Sequence, residues 1–173
     1  MRQVKTLLAA LAVCLLPVSV KADPIPTFYY INTQAVTSGS AYAAGNEVGG
    51  LMNITLPLSA SSGILQSVQI NVKSAQSNAY KLYCFNSNPS NSTWTDKVTP
   101  AINVNDLFKA IGPFNIASYD NGLGTGTWYN LSGIGAAFGG LTNSTLYCVL
   151  ITTAAVTYTS TSDVYVILEF LPG

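Results

Sequence analysis

The chain has 173 residues, of which 49% are hydrophobic and only 8% are charged, far below the roughly 25% charged residues of an ordinary soluble domain. Seven basic residues balance seven acidic ones, so we expect no basic patch for nucleic-acid phosphate and no nucleic-acid partner. Histidine is absent, which excludes the Ser/His/Asp and Cys/His nucleophile systems and disfavours zinc. The length is sufficient for one domain with a hydrophobic core.

Residues 1–22 form a separate segment. Arg2 and Lys5 precede a short apolar run at residues 7–16, a pattern typical of a secretory signal peptide in front of one domain over residues 23–173. An N-terminal hydrophobic anchor is the alternative, but the run is too short to cross a bilayer comfortably. We therefore expect no stable membrane span in the mature chain. Cleavage would leave four lysines against seven acids, a net charge of −3, and two cysteines.

Short runs of β-branched and aromatic residues, separated by Gly, Pro, Asn and Ser, predict strands along most of the chain. In chain order the predicted strands are residues 28–31, 51–58, 64–72, 80–85, 114–119, 127–131, 146–153 and 164–170. The run at residues 64–72 alternates most regularly. We expect its even-numbered residues, with Gln66 among them, to share the core-facing side, and its odd-numbered residues, including Leu65 and Ser67, to face solvent.

The strand at residues 80–85 leads into the longest predicted loop, residues 86–100. Alternation predicts that Tyr80, Leu82 and Cys84 face the core. A loop of this length in a small domain is usually functional or packed by its own side chains. The sequence therefore predicts a strand followed by a polar display loop.

One helix is predicted, over residues 105–113. Asn105 is a suitable N-cap, and Gly112-Pro113 ends the pattern. A helix of about two turns needs tertiary packing, which we expect from Leu107, Phe108 and Ile111. Further along the chain, residues 132–140 are rich in glycine and are predicted to be a flexible connection.

Many short strands and little helix predict an all-β fold, a single antiparallel β-sandwich or jelly-roll-like domain with one short helix. A closed barrel is the alternative. Cys84 and Cys148 are both predicted on inward faces of core strands. An even pair of cysteines in an exported chain favours a disulfide, and two buried free thiols are the alternative.

No catalytic, cofactor or metal site is predicted. The acidic residues are dispersed, and no pair shows the arrangement that a glycosidase requires. An enzyme remains an alternative only if two carboxylates face each other in a cleft. Loop oxygens are available for calcium at Asn86, Asn88, Asp96 and Asp120-Asn121, but their spacing is not that of a calcium loop, and turn-stabilising roles are favoured.

Aromatic residues supply the candidate contacts with a partner. Tyr83, Trp94, Trp128 and Tyr129 are able to form a stacking surface for a sugar or a protein. Trp94 is the preferred anchor, because it lies in the polar loop. Packing between the sheets and under loops is the alternative for each of these side chains.

Several stretches occur together in a recognisable order. They are residues 41–51 (AYAAGNEVGGL), 62–68 (SGILQSV), 80–90 (YKLYCFNSNPS), 93–96 (TWTD) and 106–112 (DLFKAIG). In this order they resemble small β-rich virion proteins of tailed bacteriophages, which are capsid-associated or decoration-like. The resemblance covers residues 41–112 well and the closing strands loosely.

The resemblance implies a non-enzymatic virion structural protein that binds a repeated protein lattice through strand edges and loops. Its implied partners are viral structural proteins or further copies of the same chain, in a homo-oligomer or bound to the lattice, and its implied location is the virion. The signal peptide and the two cysteines depart from this pattern, because phage heads assemble in the cytoplasm. They favour the alternative, a secreted or surface-attached bacterial binding or adhesion module.

Overall fold

The computed structural model describes residues 27–57, 60–117, 119–120 and 124–173. The predicted signal peptide lies outside these residues, as does Asn121. Within the described part, the chain forms eleven strands and one short α-helix. In chain order these are β1 (Phe28–Gln34), β2 (Ala41–Tyr42), β3 (Glu47–Thr55), β4 (Gly63–Val72), β5 (Tyr80–Phe85), α1 (Val104–Leu107), β6 (Ala110–Ile116), β7 (Tyr119–Asp120), β8 (Thr127–Phe138), β9 (Thr145–Thr152), β10 (Val156–Thr157) and β11 (Val164–Pro172).

The strands form two main sheets with a shared core between them. Sheet 1 has the order β1-β11-β4-β8-β7, and sheet 2 has the order β3-β9-β5-β6. Every pairing within the two sheets is antiparallel. A small ribbon of β10 and β2 accompanies them. The all-β antiparallel sandwich predicted from the sequence is confirmed, and the closed-barrel alternative is not formed.

Alternating residues of both sheets build the core, as expected for strands buried on one face. On β5, Tyr80, Leu82 and Cys84 are at most 1% exposed, which confirms their predicted orientation. On β11 the alternate residues from Val164 to Phe170 are buried in the same way. Burial of these side chains supplies the main driving force for folding.

The predicted facing of β4 is wrong at residues 64–66. Leu65 is 1% exposed, whereas Ile64 and Gln66 are more accessible. Ser67 lies on the outer face as predicted, where it is buried beside Glu169 and donates to its carboxylate. The register with both neighbouring strands shifts next to this point, between Leu65 and Ser67 towards β8 and opposite Glu169 towards β11. A β-bulge adds a residue and reverses which side chains face the core.

The predicted helix is much shorter than expected. It covers four residues and is capped by Asn103, whose side chain accepts from the Asn105 backbone N–H. Leu107 and Phe108 are 50% and 86% exposed, so the expected packing of these two side chains is wrong. Ile111 lies instead in β6, where it packs against the core.

The predicted connection at residues 132–140 is also wrong, because β8 continues to Phe138. Gly133 and Gly135 adopt φ values of 67° and 61°, and the pairing with β4 resumes beyond them. The glycines therefore accommodate an irregularity within a strand, and they do not end it.

A disulfide links the two sequence-distant cysteines. Cys84 and Cys148 are directly paired across β5 and β9 and are bonded, with a sequence separation of 64. Both are buried in the core cluster. The bond predicted from the sequence is present, and the free-thiol alternative is not.

Candidate functional site

Residues 86–109, which we call the covering segment, fold back over the outer face of sheet 2. Phe85 and Val149 are fully buried, although neither belongs to the core cluster between the sheets. The ring of Trp94 packs on Phe85 with centroids 5.4 Å apart, and its Nε1–H donates to the Pro89 carbonyl at 3.0 Å. Trp94 thus supports the segment from within, and its role as a partner contact remains a prediction.

Asp96 attaches the covering segment to the region of β2 and β3. Its carboxylate accepts hydrogen bonds from the Tyr42 hydroxyl at 2.7 Å, from the Thr37 N–H at 2.8 Å and from the Gly49 N–H at 2.7 Å. Gly49 has a φ of 82°, and a Cβ at this position would lie 2.5 Å from Gln34. Glycine is therefore required for the backbone to reach Asp96.

Glu47 provides a second attachment from inside the protein. It is fully buried. Its Oε2 accepts from the Thr95 N–H at 2.7 Å, and its backbone exchanges hydrogen bonds with Lys97 and Val98. Desolvation raises the pKa of Glu47 to about 7, against the lowering effect of the Thr95 hydrogen bond and with help from the charge of Asp96. Among the described residues, Oε1 has no hydrogen-bond partner, which fits a protonated acid.

Asp106 organises the far end of the covering segment. It accepts from the Asn91 N–H at 2.9 Å, from the Ser92 hydroxyl at 2.7 Å and from Lys109 Nζ at 2.7 Å. Burial alone would raise the pKa of Asp106, but the hydrogen bonds from Lys109, Ser92 and Asn91 lower it to about 2. This carboxylate is therefore ionised above about pH 2 and holds residues 91–109 as one unit.

The covering segment exposes a cluster of apolar side chains, which we call the apolar knob. Its members are Val104, Leu107 and Phe108, which are 60%, 50% and 86% exposed. Val104 and Leu107 lie at positions i and i+3 of α1, and Phe108 is its C-cap residue, so the three side chains lie on one face of the turn. Asp106, one residue away from Leu107, points inward and anchors the turn. The sequence did not predict the knob, because Leu107 and Phe108 were expected to pack against the core.

Tyr129 is fully buried, which corrects its expected role as a partner contact. Its hydroxyl donates to Asn78 at 3.1 Å, and its ring meets Tyr80 edge-on at 4.9 Å. Tyr80 shares a hydroxyl contact of 3.1 Å with Tyr158, whose ring packs against Tyr42 at 5.0 Å. Desolvation raises the pKa of each of these tyrosines. The four hydroxyls therefore stay protonated and form hydrogen bonds inside the protein.

The other two predicted contact residues lie on opposite sheets. Tyr83 is partly exposed on β5 and borders a cavity of about 370 Å³ between sheet 2 and the covering segment. Trp128 is 39% exposed on β8, on the outer face of sheet 1. The structure therefore does not bring Trp94 and Trp128 together into one aromatic surface.

Within the described residues, no group of three or more Asp, Glu, Cys or His side chains is arranged to hold a metal ion. Asp96 is close enough to Glu47 to influence its charge. Glu47 is fully buried, however, so the pair does not face an open cleft. No helix in the part of the chain that the structure describes is long and apolar enough to span a bilayer.

The covering segment is held by three buried or half-buried acids, and it exposes hydrophobic side chains that the fold does not use. No model of a known protein family matches the chain, and no curated protein matches it.

Proposed function

We propose that the chain is a non-enzymatic structural protein of a phage virion, capsid-associated or decoration-like, which binds a repeated protein lattice. The apolar knob is the observation that carries the proposal. Phe108 is 86% exposed, on a segment held rigid by Asp106. Preformed apolar contacts bind with little loss of conformational entropy, and exposed aromatic side chains are typical anchors of protein interfaces.

We further propose that the sandwich is a jelly roll. Apart from the two-residue edge strand β7, the sheets have the orders β1-β11-β4-β8 and β3-β9-β5-β6. Most successive long strands alternate between these two four-stranded sheets, as in the jelly rolls of viral capsid and lectin domains. The order of sequence motifs that resembles phage virion proteins supports the same role. Copies of the chain would repeat on the lattice and present one knob at each position.

Mass spectrometry of purified particles tests the proposal. The particles come from the phage or prophage whose genome encodes the chain, and we expect the chain among their proteins in many copies. Its absence from the particles would overturn the virion role.

A binding measurement tests the knob itself. Particles that lack the chain are mixed with purified protein, and bound protein is quantified after sedimentation. We expect Phe108→Ser to weaken binding by roughly tenfold or more, because an interface anchor is lost. Ile31→Ser is the matched control, since Ile31 is 64% exposed on β1 of the other sheet. Equal binding by the Phe108→Ser variant would exclude the knob as the contact.

A second candidate function is a secreted or surface-attached bacterial binding module. The disulfide between Cys84 and Cys148 favours it, because such bonds persist mainly in oxidising compartments. Fractionation of the producing cell discriminates between the two functions. Processed protein outside the cytoplasm is expected for the module, and recovery of uncleaved cytosolic protein would exclude it.

A further inference from the structure

The outer face of sheet 1 carries a second surface, on the central strands β4 and β8 and the edge strand β7. Gln69 lies opposite Asn130, and Asn71 lies opposite Trp128, which in turn lies opposite Asp120 of β7. Their sequence neighbours on β4 and β8 face the core, so these side chains all project outward. Directly paired side chains in a sheet are about 5 Å apart at Cβ, so one ligand is able to touch several of them.

Two depressions meet at Trp128. One has a volume of about 410 Å³ and is lined by Gln69, Asn71, Val72, Gly126, Thr127 and Trp128. The other has a volume of about 240 Å³ and is lined by Tyr119, Asp120, Trp128 and Asn130. Trp128 therefore separates two adjacent positions, and a ligand of two or more linked units is able to occupy both sides of the ring.

Three amides at this surface are free to bind a ligand. The side chains of Gln69, Asn71 and Asn130 form no hydrogen bond that the structure records with other described residues, whereas amides that serve the fold, such as Asn46 and Asn78, are bonded. An amide offers two donor hydrogens and one acceptor oxygen. Exposed amides elsewhere are also unbonded, but these three line depressions beside an aromatic ring.

The charge of the surface disfavours an anionic ligand. Among the residues that line the two depressions, none is basic, and Asp120 carries the only carboxylate. Lys73 lies close by in sequence, but its Nζ donates to Ser162 and lies 5.2 Å from the centre of the Tyr165 ring. A ligand with phosphate, sulfate or carboxylate groups would meet no basic side chain among the lining residues.

We propose that this surface binds a neutral carbohydrate. A pyranose ring has an apolar C–H face, which packs by dispersion on the Trp128 ring. Its hydroxyl groups both donate and accept hydrogen bonds, which matches Gln69, Asn71 and Asn130. The proposal is independent of the knob, which lies on the segment that covers sheet 2.

Tryptophan fluorescence provides the test. The chain has two tryptophans, and Trp94→Phe leaves Trp128 as the single reporter. This variant is titrated with neutral oligosaccharides of glucose, galactose, mannose and N-acetylglucosamine, and with sulfated and sialylated forms as the charged set. We expect saturable binding of at least one neutral oligosaccharide and no binding of the charged set. No binding at millimolar concentration, or a preference for the charged set, would overturn the proposal.

Calorimetry on further variants distinguishes loss of the binding site from loss of the fold. Trp128→Ala in the wild-type background is expected to weaken binding by roughly tenfold or more, and Gln69→Ala combined with Asn71→Ala is expected to weaken it as well. Phe108→Ser is the control and should bind the sugar normally. Equal sugar affinity of Trp128→Ala and wild type would refute the site. Thermal unfolding of each variant verifies that it is folded.

Discussion

At the scale of single residues, three acids determine how the covering segment is held. Asp96 and Asp106 accept several hydrogen bonds each, and those from Lys109, Ser92 and Asn91 lower the pKa of Asp106 to about 2. Glu47 is different because its burial raises the pKa to about 7. It sits directly beneath the backbone of residues 95–98. Its protonation state therefore links pH to the attachment of the covering segment.

The free energy of unfolding should fall as the pH rises from about 4.5 to about 7. In this range the unfolded chain releases the Glu47 proton while the folded chain retains it, so rising pH favours unfolding, by about 3 kcal/mol at most. Above about pH 7 the contribution should level off. Urea unfolding at several pH values measures the profile.

Glu47→Gln should flatten this profile, because glutamine mimics the protonated acid and still accepts from the Thr95 N–H. Glu169→Gln is the control, since Glu169 lies on the outer face of sheet 1 and accepts from Ser67. We expect it to keep the pH dependence. A Glu47→Gln variant with an unchanged slope would show that another group is responsible.

At the scale of secondary-structure elements, the pairing of β5 with β9 fixes the centre of sheet 2. These strands carry the disulfide, and β5 continues beyond Phe85 into the covering segment. β5 also pairs with β6 on its other side, so its register determines where the covering segment begins and ends. The bond between Cys84 and Cys148 therefore stabilises both the sandwich and the surface above it.

Replacing both cysteines by alanine should lower the free energy of unfolding by about 4 kcal/mol, because a bond across 64 positions strongly restricts the unfolded chain. Chemical denaturation under non-reducing conditions measures the loss. Reduction of the wild-type protein should reproduce most of it. Two alkylatable thiols in the untreated protein, found by intact mass, would contradict the bonded state.

At the scale of the whole molecule, the two sheets present two different outer surfaces. Sheet 2 is covered and exposes an apolar knob, while sheet 1 is open and exposes Trp128 among free amides. A sandwich is suited to this division, because each sheet buries one face and leaves the other available. A particle protein built in this way would attach through one side and display the other.

The two surfaces should act independently. The double variant Phe108→Ser with Trp128→Ala should lose lattice binding and sugar binding to the same extent as the respective single variants, because sites without shared partners are additive. Particle sedimentation and calorimetry on the four proteins measure this. Loss of both activities in either single variant would mean that the surfaces are coupled or that the fold has failed.

By itself, the sequence predicted the β-sandwich class and the core face of β5, and it favoured a disulfide between the two cysteines. Alternation and turn residues act over a few positions, so they can be read locally. Only the tertiary structure decided the β4 bulge, the burial of Tyr129 and the exposure of Leu107 and Phe108. Each depends on contacts between residues that are separated in the sequence. At α1, for example, the Asp106 side chain is buried by its hydrogen bonds with Asn91 and Ser92, and the neighbouring Leu107 and Phe108 face solvent.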